Sequence, residues 1–468
     1  MNSKSILFLV AIVTLFSCQE KKKKIVENKS KEIAPFSSNM MENAIIYEAN
    51  IRQYSNEGTF DAFTKDIPEL KKLGVKIVWL MPIFPISETK RKATGGQFAN
   101  LIKDEKERKK MLGSYYAVSD FTKINPEFGT IEDFRELVSA AHENGIYIIL
   151  DWVPNHTGWD HTWLKTNPDY YTQNEKGEVI HPKGTDWTDV ADLNYDNKEM
   201  REDMIADMKF WLTKEGVDGF RCDVAGSVPS DFWKEAIPQL RKEKDIFMLA
   251  EAWEPELLED GLFDMAYGWD RHHTMNHIAK GKEATKKWNE VMEKDQKRYA
   301  KDDVLMTFVT NHDENSWNGA ITERMGKASE ALTVLSYVAP GMPLIYSGQE
   351  YNLSHRLKFF EKDSIPKRKG SMWALLEKLG KLKQSNTALH GGRSAAAYRS
   401  LQKDGDVLVI ERKKGDEILI YIANLSDKGA SFKLEQEGLF KDYFSNAELK
   451  LTGAKISLKP WEYKVLTN

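Results

Sequence analysis

From residue 44 onward, short and nearly unbroken apolar runs alternate with longer stretches whose apolar residues recur every three or four positions. The short runs are AIIYEANI from Ala44, VKIVWLMPI from Val75, IYIILDWV from Ile146 and GFRCD from Gly219. They continue with DIFMLAEAW from Asp245, LFDMAYGW from Leu262, VLMTFVTNHD from Val304 and GMPLIYSGQE from Gly341. Runs without apolar/polar alternation suit strands of a parallel sheet covered on both faces. The stretches between them read as helices with legible ends. TIEDFRELVSAAHENG starts at Thr130 as N-cap and stops at Gly145, and NKEMREDMIADMKFWLTKEG stops at Gly216. Eight such strands with intervening helices predict an α/β fold, a (β/α)8 TIM barrel over residues 44–390, rather than a doubly wound sheet.

Two connections exceed an ordinary strand-to-helix loop. Residues 83–114, with the charged run KDEKERKKM, are expected to form a solvated excursion. Residues 156–195 carry Trp159, Trp163 and Trp187, and are expected to form a small subdomain inserted after strand 3, at the mouth of the barrel. Near Gly391 the pattern changes to period two. DVLVIERKKGDEILIYIANL reads as a hairpin around Lys414-Gly415-Asp416; ASFKLEQ and ISLKPWEYKVL add strands, giving a C-terminal all-β sandwich domain over 391–468.

The N-terminus has a different character. Lys4 precedes the apolar run ILFLVAIVTLF, 11 residues long, too short for a span of ~20 and suited to an export signal. LFSC resembles the lipobox of bacterial lipoproteins. The expectation is therefore a signal peptide over 1–18, lipidation at Cys18, a polar tether over 19–43, and an exported, membrane-anchored protein on the periplasmic or cell-surface face of an outer membrane. An ordinary secretory signal is the alternative. With Cys18 so used, Cys222 is the one remaining cysteine, expected as an inert packed thiol with no disulfide partner. A formal net charge of -4, from 67 basic and 71 acidic residues, gives no nucleic-acid footprint. The 13 Trp and 17 Tyr fit either stacking on sugar rings or ordinary core packing.

Chemistry concentrates at strand ends. In GFRCD, alternation puts Arg221 and Asp223 on the barrel interior and turns Phe220 and Cys222 toward the helices. Each charge then compensates the other, with Arg221 favouring an ionised Asp223. FMLAEAWEP ends in Glu251 with an apolar approach, which suits a proton donor. FVTNHDENSW carries Asn311, His312 and Asp313, and ILDWVPNHTG carries Asp151, Asn155 and His156. Such groups at the carboxyl ends of barrel strands read as catalytic. His272 and His273, in DRHH, are expected as surface or loop residues rather than metal ligands.

DWVPNH, GFRCD, LAEAWE and TNHD, in that order on strands three, four, five and seven, resemble the four signature regions of the α-amylase family of glycoside hydrolases. The resemblance runs from about residue 44 to the terminal β-domain. It implies a retaining hydrolase of α-glucans such as starch or maltooligosaccharides, with Asp223 as nucleophile, Glu251 as general acid/base and Asp313 as the third carboxylate. It further implies sugar contacts from Arg221, His156, His312 and Tyr116, the last in GSYYAVSDF, and site-bracing roles for Asp151 and Asn155. No cofactor is required for these steps; calcium is possible, with Asn155 as the candidate ligand. The sequence departs from the pattern after the nucleophile, where VAGSVP puts Gly226 and Ser227 in place of a Lys-His pair. Val224 is similar to members acting on α-1,6 or short α-glucosidic substrates. Two rivals stay open: a transglycosidase of the same family, and a glucan-binding surface lipoprotein that does no chemistry. The oligomeric state is not legible.

Overall fold

In a computed structural model, the structure describes residues 33–402 and 405–468. Cys18, the expected signal peptide and the first part of the expected tether lie outside the described residues. No helix among the described residues is long and apolar enough to cross a membrane.

Eight parallel strands close into a barrel: β1 (Ile46–Ala49), β2 (Ile77–Leu80), β3 (Tyr147–Trp152), β4 (Gly219–Cys222), β5 (Phe247–Ala250), β6 (Met265–Tyr267), β7 (Leu305–Thr307) and β8 (Met342–Tyr346). Each strand pairs with its neighbours in sequence, and β1 closes the ring on β8. Alternate residues divide between two cores. Trp79, Ile149, Leu249, Tyr267 and Leu344 fill the interior, while Val78, Ile148, Phe220, Cys222 and Met248 join the layer between strands and helices. Cys222 is buried there as a free thiol. The helices end as their sequences predict. Ile131–Glu143 begins with a capping box between Thr130 and Asp133, which satisfies backbone donors that the first turn leaves free.

Residues 33–43 depart from the expected tether. Phe36 and Met41 are buried, and the Phe36 ring packs 5.7 Å from Tyr147 and 5.2 Å from Phe247, at the start of β3 and β5. Apolar side chains at the tether's end thus cover the barrel floor instead of remaining in water.

The connection after β3 contains two short antiparallel strands, His156–Gly158 and Val190–Asp192. The connection after β2 is only partly the solvated excursion expected. Its helix Glu105–Lys110 buries no residue, but Lys92 and Ser114 reach the cavity at the barrel mouth.

The C-terminal strands are β9 (Ala397–Gln402), β10 (Val407–Lys414), β11 (Glu417–Asn424), β12 (Ala430–Lys433), β13 (Glu437–Asp442), β14 (Glu448–Thr452), β15 (Lys455–Leu458) and β16 (Tyr463–Thr467). Six form one sheet in the order β9-β10-β11-β16-β13-β14, and β12 pairs with β15. Period-two patterning explains the placement. Leu408, Ile410, Leu419 and Tyr421 join the core shared with the barrel helices, while Val407, Val409, Ile420 and Ile422 face Phe432 and Leu458 in a separate core.

Candidate active site

Strand register assembles the site. Asp151 on β3 lies beside Arg221 on β4, and Cys222 lies beside Ala250 on β5. The next residues, Asp223 and Glu251, therefore leave the barrel side by side, on strands about 4.8 Å apart. The Arg221 guanidinium, fully buried, gathers the acids. Its Nη1 lies 2.8 Å from both Asp151 Oδ1 and Asp223 Oδ1, and its Nη2 lies 2.8 Å from Glu251 Oε2. Its Nε donates to Tyr267 Oη at 3.2 Å, and the group sits 4.8 Å from the centre of the Trp79 ring. The second oxygen of Asp151 accepts from Trp79 Nε1 (3.1 Å) and Tyr116 Oη (3.2 Å).

Val224 follows Asp223 with φ 38, a left-handed conformation that a β-branched residue adopts at a cost. The bend lets the Val224 N–H donate to Glu251 Oε2 at 2.8 Å. Backbone and guanidinium together fix the position of that carboxyl.

Across the mouth, β7 leads into His312 and Asp313. His312 Nδ1 lies 2.5 Å from Glu48 Oε1 on β1, and its Nε2 lies 2.7 Å from Tyr116 Oη and 3.4 Å from Asp313 Oδ2. Burial opposes a charge on His312, but Asp313 and Glu48 outweigh it and raise the ring to about 9. Glu48 is itself pushed up by burial, with His312 pulling the other way. His156 has no such acid and burial lowers it to about 3, leaving it neutral.

The acids around Arg221 respond to burial in the same way. Desolvation raises Asp223 well above the usual carboxylate range; Arg221 opposes this, while Glu251 and Asp151 add to it. Asp151 is raised to about 6, again chiefly by burial and against the pull of Arg221. The expectation that Arg221 simply keeps Asp223 ionised is thus incomplete. One cation is divided among three carboxyls, so the cluster favours retaining a proton.

These groups open onto a cavity of about 420 Å³, lined by Tyr116, His156, Asp223, Glu251, His312 and Asp313 together with Trp187, Trp317 and Phe359. Arg221 and Asp151 lie beneath it. A hollow of about 500 Å³ on the outer helix Thr285–Arg298 is lined only by Glu290, Glu293, Lys294, Lys297 and Arg298, and gathers no comparable set. Asn155 stands just outside the cavity with its Nδ2 3.1 Å from His156 Nδ1. Among the described residues no group of three or more His, Cys, Asp and Glu side chains is placed to hold a metal ion. His272 corrects the reading of DRHH as surface or loop. It is fully buried on the helix Trp269–Ala279, stacked 4.4 Å from Phe308 and 3.2 Å from Glu314 Oε2.

Glu48, Trp79, Tyr267, Trp317 and Phe359 also adjoin these groups, and the sequence did not single them out. Glu48 alone left a signal, as an acid inside the apolar run IIYEANI.

Residues 36–372 match the family described as the alpha-amylase catalytic domain. The chain is 26% identical to alpha-amylase 3 of Dictyoglomus thermophilum over 500 residues, which covers 90% of this chain and 92% of that one. It is 26% identical to alpha-amylase MalA of Haloarcula japonica over 321 residues, 66% of this chain, and spans 44% of that longer relative. Among solved structures, a maltogenic alpha-amylase from Thermotoga neapolitana superposes with a TM-score of 0.80 at 28% identity, covering 91% of this chain and 98% of that one. By its barrel, the polar groups at its strand ends and this match, the chain belongs to the alpha-amylase family of glycoside hydrolases.

Proposed function

We propose that the chain hydrolyses α-glucosidic bonds in starch-type glucans or maltooligosaccharides with retention of configuration. The observation that carries this reading is the pairing of Asp223 and Glu251 on one buried guanidinium at the floor of the cavity. Retention needs two carboxyls about 5 Å apart, one attacking the sugar while the other protonates the leaving oxygen. The relatives above are alpha-amylases by name, which supports the substrate class.

In the first step Glu251 gives its proton to the glycosidic oxygen as that bond breaks. Asp223 attacks the anomeric carbon and forms a glycosyl ester. Arg221 occupies Asp223 Oδ1, which leaves the other oxygen for attack. In the second step Glu251 takes a proton from water as the water oxygen attacks the same carbon, releasing Asp223. Asp313 and the charged His312, with neutral His156, hydrogen-bond the ring hydroxyls, and Tyr116 offers an apolar face to the ring. Asp151 positions Arg221 and Tyr116 through its two oxygens.

The test is product analysis on amylose, pullulan, isomaltose and maltotriose, with Asp223→Asn as control. Reducing sugar of retained configuration, absent from the control, is expected. Longer chains from maltotriose would move the assignment to transglycosylation, in which the intermediate meets sugar before water. Binding without any product would leave a glucan-binding protein. We further propose lipid anchoring at Cys18, on the strength of Lys4, the apolar run and LFSC. Cys18→Ala should release the protein from the membrane fraction, and an unlipidated mature N-terminus in the wild type would refute anchoring.

A further inference from the structure

Trp317 is a large apolar side chain left in the open. It is 51% exposed, yet lines the cavity that holds Asp223, Glu251 and Asp313. Its ring lies 5.0 Å from Phe359 and 6.0 Å from Phe360. Phe359 in turn lies nearly parallel to Tyr116, at 6.4 Å and 8°. The apolar face at Tyr116 therefore continues outward as a wall.

The wall is rigidly mounted. Trp317 sits on a single π-helical turn, Glu314–Asn318, directly after Asp313; such turns are rare and gather at functional sites. The turn is tied to the loop that carries both phenylalanines. Asn315 Nδ2 donates to His355 O (3.2 Å), Leu357 N donates to Asn315 Oδ1 (2.8 Å), and Arg356 Nη1 donates to Trp317 O (3.3 Å). Apolar surface kept in water on a fixed support matches a ligand with flat apolar faces and a hydroxylated rim, which is what a pyranose ring presents.

Position in the barrel says which sugar. Tyr116 follows β2, Trp317 follows β7 and the phenylalanines follow β8, so the wall flanks β1; Glu251 follows β5, directly across the ring from β1. The leaving group departs on the side of Glu251, which protonates it. The geometry points to Trp317, Phe359 and Phe360 as the binding site for glucosyl units that stay attached to the sugar on Asp223. The wall then selects donors with more than one such unit. This rests on the retaining α-glucan hydrolase reading and adds its chain-length preference.

The experiment compares kcat/KM for p-nitrophenyl α-maltotrioside with that for p-nitrophenyl α-glucoside in the wild type, Trp317→Ala and Trp317→Phe. The ratio of trioside to glucoside should fall by about tenfold in Trp317→Ala, mainly through KM, and recover in Trp317→Phe. A ratio within about twofold of wild type would overturn the proposal. A wild type that cleaves neither substrate would sink the hydrolase reading alone. Maltotriose titration into Glu251→Gln, with and without Trp317→Ala, would still decide the wall: binding weakened about tenfold supports it, equal binding refutes it.

Discussion

Burial alone would keep His312 neutral, but Glu48 and Asp313 raise it to about 9. Glu48→Gln removes one of those anions, so the alkaline limb of the kcat/KM profile should move down by about a pH unit. An unmoved limb would show that the charge on His312 is irrelevant to turnover. The sign for stability follows from the raised folded value. The contribution is fully present below the unfolded pKa of about 6.5 and is lost as pH rises through about 9, so urea midpoints at pH 6 and 10 should converge in Glu48→Gln. The opposing limb belongs to the acids: Asp151, raised to about 6, takes up its proton as pH falls. Asp223, Glu251 and Asp313 were legible because each ends an apolar run, where a charge needs a reason. Glu48 left a signal of the same kind, but its partner lies 264 positions away and only ring closure brings β1 near the turn after β7. Trp317 and Phe359 were hidden for another reason, as aromatic spacing in a loop says nothing about which face meets solvent.

Strand β4 depends on its first residue. Gly219 has φ +146, and a Cβ there would lie 1.9 Å from the backbone oxygen of Phe247 on β5. Gly219→Ala must push β4 off β5, costing about 3 kcal/mol or more and displacing Arg221 and Asp223. A lower urea midpoint and a loss of about 100-fold in kcat are expected; a wild-type midpoint would show that the strands slide freely. At this scale the sequence was most informative. Capped helices and apolar strands are decided by nearby residues, and the hairpin at Gly415-Asp416 closes as its turn residues predict, with Lys414 opposite Glu417. The excursion 83–114 was misjudged in part because charge density describes Glu105–Lys110 well but hides Lys92, whose Nζ lies 3.5 Å from the buried Asp189. Within DRHH, His272 was misjudged because two polar residues in series resemble a loop, while helical spacing turns it inward against Phe308 and leaves His273 exposed.

The barrel and the C-terminal sheet share one core. Leu408, Ile410, Leu419 and Tyr421 pack with the barrel helices, Tyr421 Oη donates to Ala331 O at 2.7 Å, and the buried Arg412 donates to Val338 O at 2.6 Å. Removing residues 391–468 uncovers that seam, so the truncated protein should be insoluble or inactive; a soluble, active barrel would show that the sheet is a separable appendage. The sequence announced strands beyond residue 391 but not the seam, which requires knowing which face of each strand turns inward. The closed ring has a further consequence. A cylinder offers no open rim to which a foreign strand could add, whereas the terminal sheet has two, β9 and β14. Arg399, Glu448 and Lys450 stand on those rims as exposed charges and discourage strand-to-strand adhesion. Replacing Arg399, Glu448 and Lys450 by neutral residues should therefore promote heat-induced clumping, with chemical cross-links in warmed samples falling in 397–402 and 448–452 before any barrel strand is touched.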